Sequence, residues 1–414
     1  MRNEILNYLD EPRQLERLYR SNKVTFKQEF STLYPQLSGN LVAAFWHERL
    51  NFESEEISWG SRAEFLFVVL AALVAGILAK LPAILPISEE YYYPRNIGFI
   101  VFPFLAAYFA WINKLTAYTA ALISMVMLVC LVYINILPNN PTSDTLVLAC
   151  IHLPLLLWVL LGVTYTGSDL RDYRKRLSFL RFNGDLAVMS ALLVMAGILM
   201  TGITVGLFAL IGIQIEQFYF EYIVAFGLPA VPIVATSLTQ TNPQLVNKVS
   251  PVIAKLFSPL VLVMLLIYLG AIVYSGKDPY NDREFLLLFN VLLIGVMALI
   301  FFSVAESSAK STSLGGVWVL LLLSVVTVVV NGIALSAISF RISEWGITPN
   351  RVAVLGGNVL MLVHLLIVTV MLFKAATKKA AIAEVGRAIV LYIPVYFAWA
   401  AIVVFLFPLL FGFK

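Results

Sequence analysis

The sequence predicts an all-α fold: a polytopic bundle of about eleven transmembrane helices with a small amphipathic helical cap at the N-terminus. Three observations predict it. Sixty per cent of the 414 residues are hydrophobic and only 13% are charged, whereas roughly a quarter of an ordinary soluble chain is charged. Eleven separate apolar runs approach the ~20 residues that a helix needs to cross a hydrocarbon core. Lysine and arginine also fall unevenly between the segments that join those runs.

Residues 1–63 form the one sizeable segment outside the runs and constitute a first domain; residues 64–414 form the transmembrane domain. In the first, Leu15, Leu18, Tyr19, Phe26, Phe30, Leu33 and Tyr34 recur at three- and four-residue spacing, and Leu41, Val42, Phe45, Trp46 and Leu50 repeat the pattern. That spacing lays apolar side chains along one helical face. Pro12 suits a first helical turn, and Ser38-Gly39-Asn40 supplies a break with cap residues. Two or three short amphipathic helices are expected, lying on the membrane surface or packed on the protein's own loops. Acidic and basic residues nearly balance here, which argues against a polybasic lipid-binding arm.

The eleven runs cover approximately 64–86, 97–111, 115–137, 145–165, 186–213, 222–238, 256–274, 285–304, 317–340, 352–373 and 389–411, the second being short. Continuous apolarity, without the alternation of barrel strands, makes each a helix, which satisfies its backbone within one segment. If the N-terminus is inside, 21 basic residues lie in inside segments and six in outside ones, with Lys80 inside the first span left aside. Positive charge concentrates on the inner side of membrane proteins. The expected topology is therefore N-terminus in and C-terminus out, with Ser143 and Asp278 outside and Ser178 inside.

Composition excludes several classes of function. A net charge of +4 is too small and dispersed for a nucleic-acid partner. Cys130 and Cys150 lie inside apolar runs and read as small core residues. The chain opens on charged and polar residues, so no cleavable leader is expected. No P-loop, HExxH pair, metal-ligand cluster or nucleophile elbow appears; no catalytic, cofactor-binding or metal-binding residue is assigned, and the expectation leans away from an enzyme.

The remaining candidates are polar groups and helix breakers in apolar surroundings, where charge is costly. Lys80, beside Pro82, reads as a side chain reaching the outer interface, and His152 as a histidine bonded to a nearby carbonyl. His364 falls near the middle of the tenth span, with Asn358, Asn331 and Asn290 as possible polar neighbours; it is either helix-joining glue or a substrate or proton contact. Glu306 closes the eighth span in a small, polar stretch, with Lys310 one turn later as a partner. Pro229 and Pro232 remove two N–H donors from the sixth span and predict an interruption between Phe226 and Ile233. Gly202 and Gly206 in the fifth span have GxxxG spacing, which suits close helix packing.

One stretch, Ser343-Glu344-Trp345-Gly346-Ile347-Thr348-Pro349-Asn350-Arg351-Val352-Ala353-Val354-Leu355-Gly356, together with Leu15-Glu16-Arg17-Leu18-Tyr19, resembles an uncharacterised bacterial polytopic membrane-protein family, domain of unknown function 4153. The resemblance implies a multi-spanning bacterial inner-membrane protein and supplies no activity or site residues. Read physically, Gly346 permits a turn, Thr348 is an N-cap and Pro349 fits the first helical position. Arg351 then sits where the helix dipole opposes a cation, so a partner is expected: a lipid phosphate, Glu344 or another acidic group.

These features favour a transporter or lipid-handling protein, with Arg351, Thr348, His364, Glu306, Pro229 and Pro232 as candidate substrate or lipid contacts. The alternative is a non-enzymatic scaffold or sensor subunit of a larger complex, and a third reading is a lipid-directed enzyme at the outer interface near Arg351. Membrane lipids and other membrane subunits are the expected partners.

Overall fold

A computed structural model describes residues 2–9, 11–21, 23–37, 39–51, 58–167, 169, 171–211, 213–247, 249–275, 280, 283–309 and 313–414. Helices account for 87% of the protein, and no strand occurs among the described residues. Two compact units are present, residues 1–57 and residues 58–414.

The first unit holds α1 (Arg2–Asn7), α2 (Pro12–Ser21), α3 (Lys23–Leu33), a 3-10 turn (Tyr34–Gln36) and α4 (Leu41–Asn51). The apolar stripes seen in the sequence turn toward one another. Ile5, Leu15, Phe26, Phe30, Leu33 and Trp46 are buried together in a small core. Tyr19 and Trp46 both pack against Phe26, with ring centres 5.7 and 5.2 Å away. Arg49 lies over the Trp46 ring at 4.6 Å and also pairs with Glu16, which Arg20 joins from one turn along α2. Asn40 caps α4, its side chain accepting from the Val42 and Ala43 amides.

Among its described residues the second unit contains eleven helices long and apolar enough to cross a membrane. In chain order the helices are α5 (Arg62–Ala79), the short α6 (Leu81–Ile84), α7 (Glu89–Ile112), α8 (Ala117–Ile136), α9 (Asp144–Thr166), α10 (Tyr173–Leu210), α11 (Glu216–Phe218), α12 (Ala225–Thr241), α13 (Pro243–Asn247), α14 (Val249–Ser275), α15 (Arg283–Ala309), α16 (Leu314–Trp345), α17 (Pro349–Ala376), α18 (Ile382–Ala401) and α19 (Phe407–Leu410). Two π-helical segments, Tyr219–Val224 and Ile402–Leu406, join α11 to α12 and α18 to α19.

Polar side chains fix where many spans start. Ser61, Ser88, Thr116, Ser143, Asp172, Ser313 and Thr348 each accept a hydrogen bond from an amide in the first turn of their helix, satisfying donors that a helix start leaves open. Capping explains the largest departures from hydropathy. The second span starts at Glu89, eight residues before its apolar run, because Ser88 caps it there. The fifth starts at Tyr173 on the Asp172 cap, so a charged stretch extends the apolar helix. Ser143 is buried as a cap residue, and Asp278 lies outside the described residues.

Successive spans alternate in direction, so the connections fall at two ends. The basic end gathers residues 58–61, 113–116 and 377–381; the opposite end gathers residues 80–88, 137–143 and 346–348. The core lies in two main parts. One is built by α5, α7, α8 and α9 with contributions from α10, α12 and α18; the other is built by α14, α15, α16, α17 and α18. The first and sixth spans pack closely, with Gly76 of α5 directly beneath the Phe226 ring of α12. Cys130 and Cys150 are buried free thiols.

Candidate functional site

The turn between α16 and α17 forms as its sequence suggests, but Arg351 is held differently. Gly346 adopts φ +75°, and its amide closes α16 on the Ile342 carbonyl at 2.9 Å. Thr348 caps α17, its hydroxyl accepting from the Arg351 amide at 3.3 Å. The Arg351 guanidinium donates to the Trp345 and Gly346 carbonyls, both at 2.7 Å, and lies 5.7 Å from the Trp345 ring centre. A cation at the start of one helix is thus compensated by the carbonyl end of the helix before it. The partners in the protein are these carbonyls rather than Glu344.

His364 is fully buried near mid-span on α17. Its Nδ1 pairs with the Tyr396 hydroxyl at 3.1 Å, and its ring stacks on Tyr392 with centres 4.4 Å apart. Phe301 covers it from α15 at 4.7 Å. Nε2 is buried without a hydrogen-bond partner among the described residues. The expected asparagine neighbours do not bond to it. Asn290 donates to the Leu286 carbonyl of its own helix, while the buried Asn331 and Asn358 amides have no partner among the described residues. His364 is therefore packed inside an aromatic cluster.

Glu306, buried on α15, forms an ion pair with Arg181 of α10. That partner comes from a helix distant in the chain; Lys310, named from sequence spacing, lies outside the described residues. Pro229 and Pro232 do not break the sixth span where expected. Helix α12 continues through both, and the Thr236 hydroxyl donates to the Pro232 carbonyl at 2.8 Å. The departure from α geometry comes earlier, at the π-helical Tyr219–Val224. The wider turn makes room ahead of two rings that crowd the preceding carbonyls. Lys80, the C-cap of α5, pairs with Glu221 in this segment at 3.3 Å and lies over the Tyr222 ring at 4.7 Å. His152 Nδ1 meets the Leu148 carbonyl at 2.9 Å. Nothing among the described residues packs within 4 Å of a Cβ added at Gly202 or Gly206.

The candidate residues therefore occupy four separate places: the α16–α17 turn with Thr348 and Arg351, the α12 prolines, His364 and Glu306. A further site comes from residues that hydropathy hides. A groove of about 660 Å³ runs between α7 and α8, floored by α5, α6 and α9. Ala106, Ala107 and Ala110 of α7 and Ala120 and Ser124 of α8 line it, so small side chains on both helices leave the gap. Along α7 the lining extends from Tyr92 to Ala110, about 27 Å at 1.5 Å per residue.

One end of the groove is closed by the run Tyr91-Tyr92-Tyr93-Pro94-Arg95-Asn96. The three phenols donate to carbonyls at the ends of neighbouring helices: Tyr91 to Asn135 at 2.8 Å, Tyr92 to Leu78 at 2.8 Å and Tyr93 to Ala79 at 2.9 Å. Asn96 and Asn135 exchange amide hydrogen bonds at 3.0 and 2.9 Å, joining α7 to α8. Arg95, only 3% exposed, donates to the carbonyls of Ile134, Leu137 and Pro138 at 3.3–3.5 Å and to Tyr91 at 3.4 Å. Its guanidinium also stacks 4.1 Å from the Tyr91 ring centre. A buried cation here is compensated by the carbonyl end of α8, not by a carboxylate. At the basic end Glu64 accepts from Tyr108 at 2.6 Å, a second buried polar contact. The phenol-rich run was legible in the sequence; that it ties three helix ends together was not.

Eleven long apolar helices among the described residues define this chain as an integral, multi-spanning helical membrane protein. Comparison with known protein families, curated proteins and solved structures finds no match.

Proposed function

We propose that this protein is a lipid-handling protein of the bacterial inner membrane, with its N-terminus in the cytoplasm and its C-terminus outside. The family it resembles in residues 343–356 is a fitting setting for that role. The observation that carries the reading is the α7–α8 groove. Its lining follows α7 for about 27 Å, close to the ~30 Å hydrocarbon thickness of a bilayer. The groove is apolar along its length, with Asn96 at one end and Thr164 toward the other. An extended acyl chain matches that shape and chemistry. The excess of basic residues in alternate connections supports the orientation.

The test is lipid retention. Protein purified in mild detergent is compared with Ala107→Trp and Ser124→Trp, which fill the groove from opposite walls, by native mass spectrometry of bound lipid. Both variants are expected to lose lipid while keeping the parent's elution and thermal transition. Undiminished lipid binding in both refutes the reading.

A second reading, a scaffold subunit, has its own observation. The far part of α10 stands unpacked, with Ile198, Leu199 and Leu210 exposed by 68%, 66% and 84%. Gly202 and Gly206 on this stretch leave room for a close neighbour. Photo-cross-linking from a benzophenone maleimide attached at Gly202→Cys in native membranes tests it, because the probe inserts into C–H bonds of any neighbour: a discrete protein adduct supports a partner helix, and monomer alone argues for lipid there.

A further inference from the structure

At the basic end α14, α15 and α16 surround a second pocket, of about 290 Å³ and quite different chemistry. Its wall carries Lys255 and Ser258 from α14, Ser303 and Glu306 from α15, and Ser313 and Gly316 at the start of α16. Glu306 is 4% exposed, and one carboxylate oxygen is taken by Arg181. The other oxygen, Oε2, is buried and receives no hydrogen bond among the described residues. A buried carboxylate oxygen without a donor is costly. Lys255, which lines the same pocket, is exposed and has no ion pair among the described residues. Helix α16 begins there, capped by Ser313 on the Gly316 amide at 3.3 Å, and the start of a 32-residue helix favours negative charge. The Ser258 and Ser303 hydroxyls, buried and 3.0 Å apart, add to the polar lining.

A cavity lined by a carboxylate oxygen without a donor, a lysine and a helix start is complementary to a zwitterion. We propose that this pocket binds a phosphoethanolamine group, its ammonium donating to Glu306 Oε2 and its phosphate meeting Lys255 and the start of α16. The group is carried either by a phospholipid headgroup or by a small soluble molecule. The site is separate from the α7–α8 groove and stands whether or not that groove holds an acyl chain.

The experiment uses full-length protein in nanodiscs of phosphatidylglycerol, titrated by calorimetry with soluble O-phosphoethanolamine and, in parallel, with a short-chain phosphatidylethanolamine. Binding of the soluble compound assigns a soluble source, and binding of the lipid alone assigns a headgroup. Phosphocholine and short-chain phosphatidylcholine are the controls, because a trimethylated nitrogen has no N–H to donate. Each is expected to bind about ten-fold or more weakly than its ethanolamine counterpart, the scale of a lost hydrogen bond to a charged group. Glu306→Gln should weaken binding by a similar factor. Lys255→Gln, at an exposed position, should weaken it by about two- to five-fold. The proposal is overturned if neither ethanolamine compound binds. It is equally overturned if choline compounds bind as tightly, or if Lys255→Gln binds like the parent.

Discussion

Adjacent glycines on α17 offer a controlled test of how the second half of the bundle is packed. A Cβ built on Gly356 falls 2.1 and 2.2 Å from Cζ2 and Cη2 of Trp399, whereas one built on Gly357 meets nothing within 4 Å. Carbon atoms at van der Waals contact sit ~3.5–4.0 Å apart, so Gly356→Ala requires the indole or the helix to move by roughly 1.5 Å. Trp399 has little freedom to yield: Phe407 meets its ring edge-on at 5.9 Å, and it packs on a cluster containing Leu148, Ala353 and Val403. Overpacking of this kind costs about 1–3 kcal/mol. Alanine also improves helix propensity over glycine by ~1 kcal/mol in water, and that gain is common to both positions. The difference between the two variants therefore isolates the steric term, and Gly356→Ala should be less stable than Gly357→Ala by about 1–3 kcal/mol. Thermal unfolding in detergent, followed by tryptophan fluorescence, measures it. Equal transition temperatures for the two variants would falsify the assigned contact between α17 and α18.

Arg95 tests whether carbonyls alone can compensate a buried cation. Arg95→Met should lower stability by ~1–3 kcal/mol, since several helix-end carbonyls lose their donor while one desolvated charge is relieved; Arg95→Lys should fall between. A methionine variant as stable as the parent removes the capping role. In the first unit, Arg20 chiefly, with Arg49, holds the Glu16 carboxyl below its ordinary range, against a smaller opposing effect of burial. A depressed folded value means the contribution is present above the ordinary carboxylate range and is lost as pH falls through the folded one. Hydrogen-exchange protection of residues 2–51, corrected for the intrinsic slowing of exchange in acid, should therefore fall on acidification more in the parent than in Glu16→Gln, and identical acid responses contradict the linkage. For topology, a cysteine at exposed Asn139 should react with an impermeant reagent outside sealed cells and one at exposed Ser178 should not. The reverse pattern inverts the orientation.

Sequence alone determined the class of fold, because crossing a bilayer imposes a local requirement. Each span must be apolar over its own length and satisfy its own backbone, so the evidence for it is contiguous in the chain. Caps are local as well, which is why Thr348 was legible at the head of the tenth span. The second and fifth spans were read too short for a related reason: hydropathy ends where polar residues begin, but a helix ends where its backbone is capped. Tertiary structure alone decided what each polar group meets. Arg181 reaches Glu306 across 125 positions of sequence, and Tyr108 reaches Glu64 across 44. Arg351 finds carbonyls, which leave no mark in a sequence because every residue has one. The prolines of the sixth span announced distortion, yet it falls at Tyr219–Val224, where Lys80 of the first span pairs with Glu221, just ahead of Phe226 lying against Gly76. The groove and the pocket are spaces between helices, and a space depends on how neighbours approach rather than on any one segment.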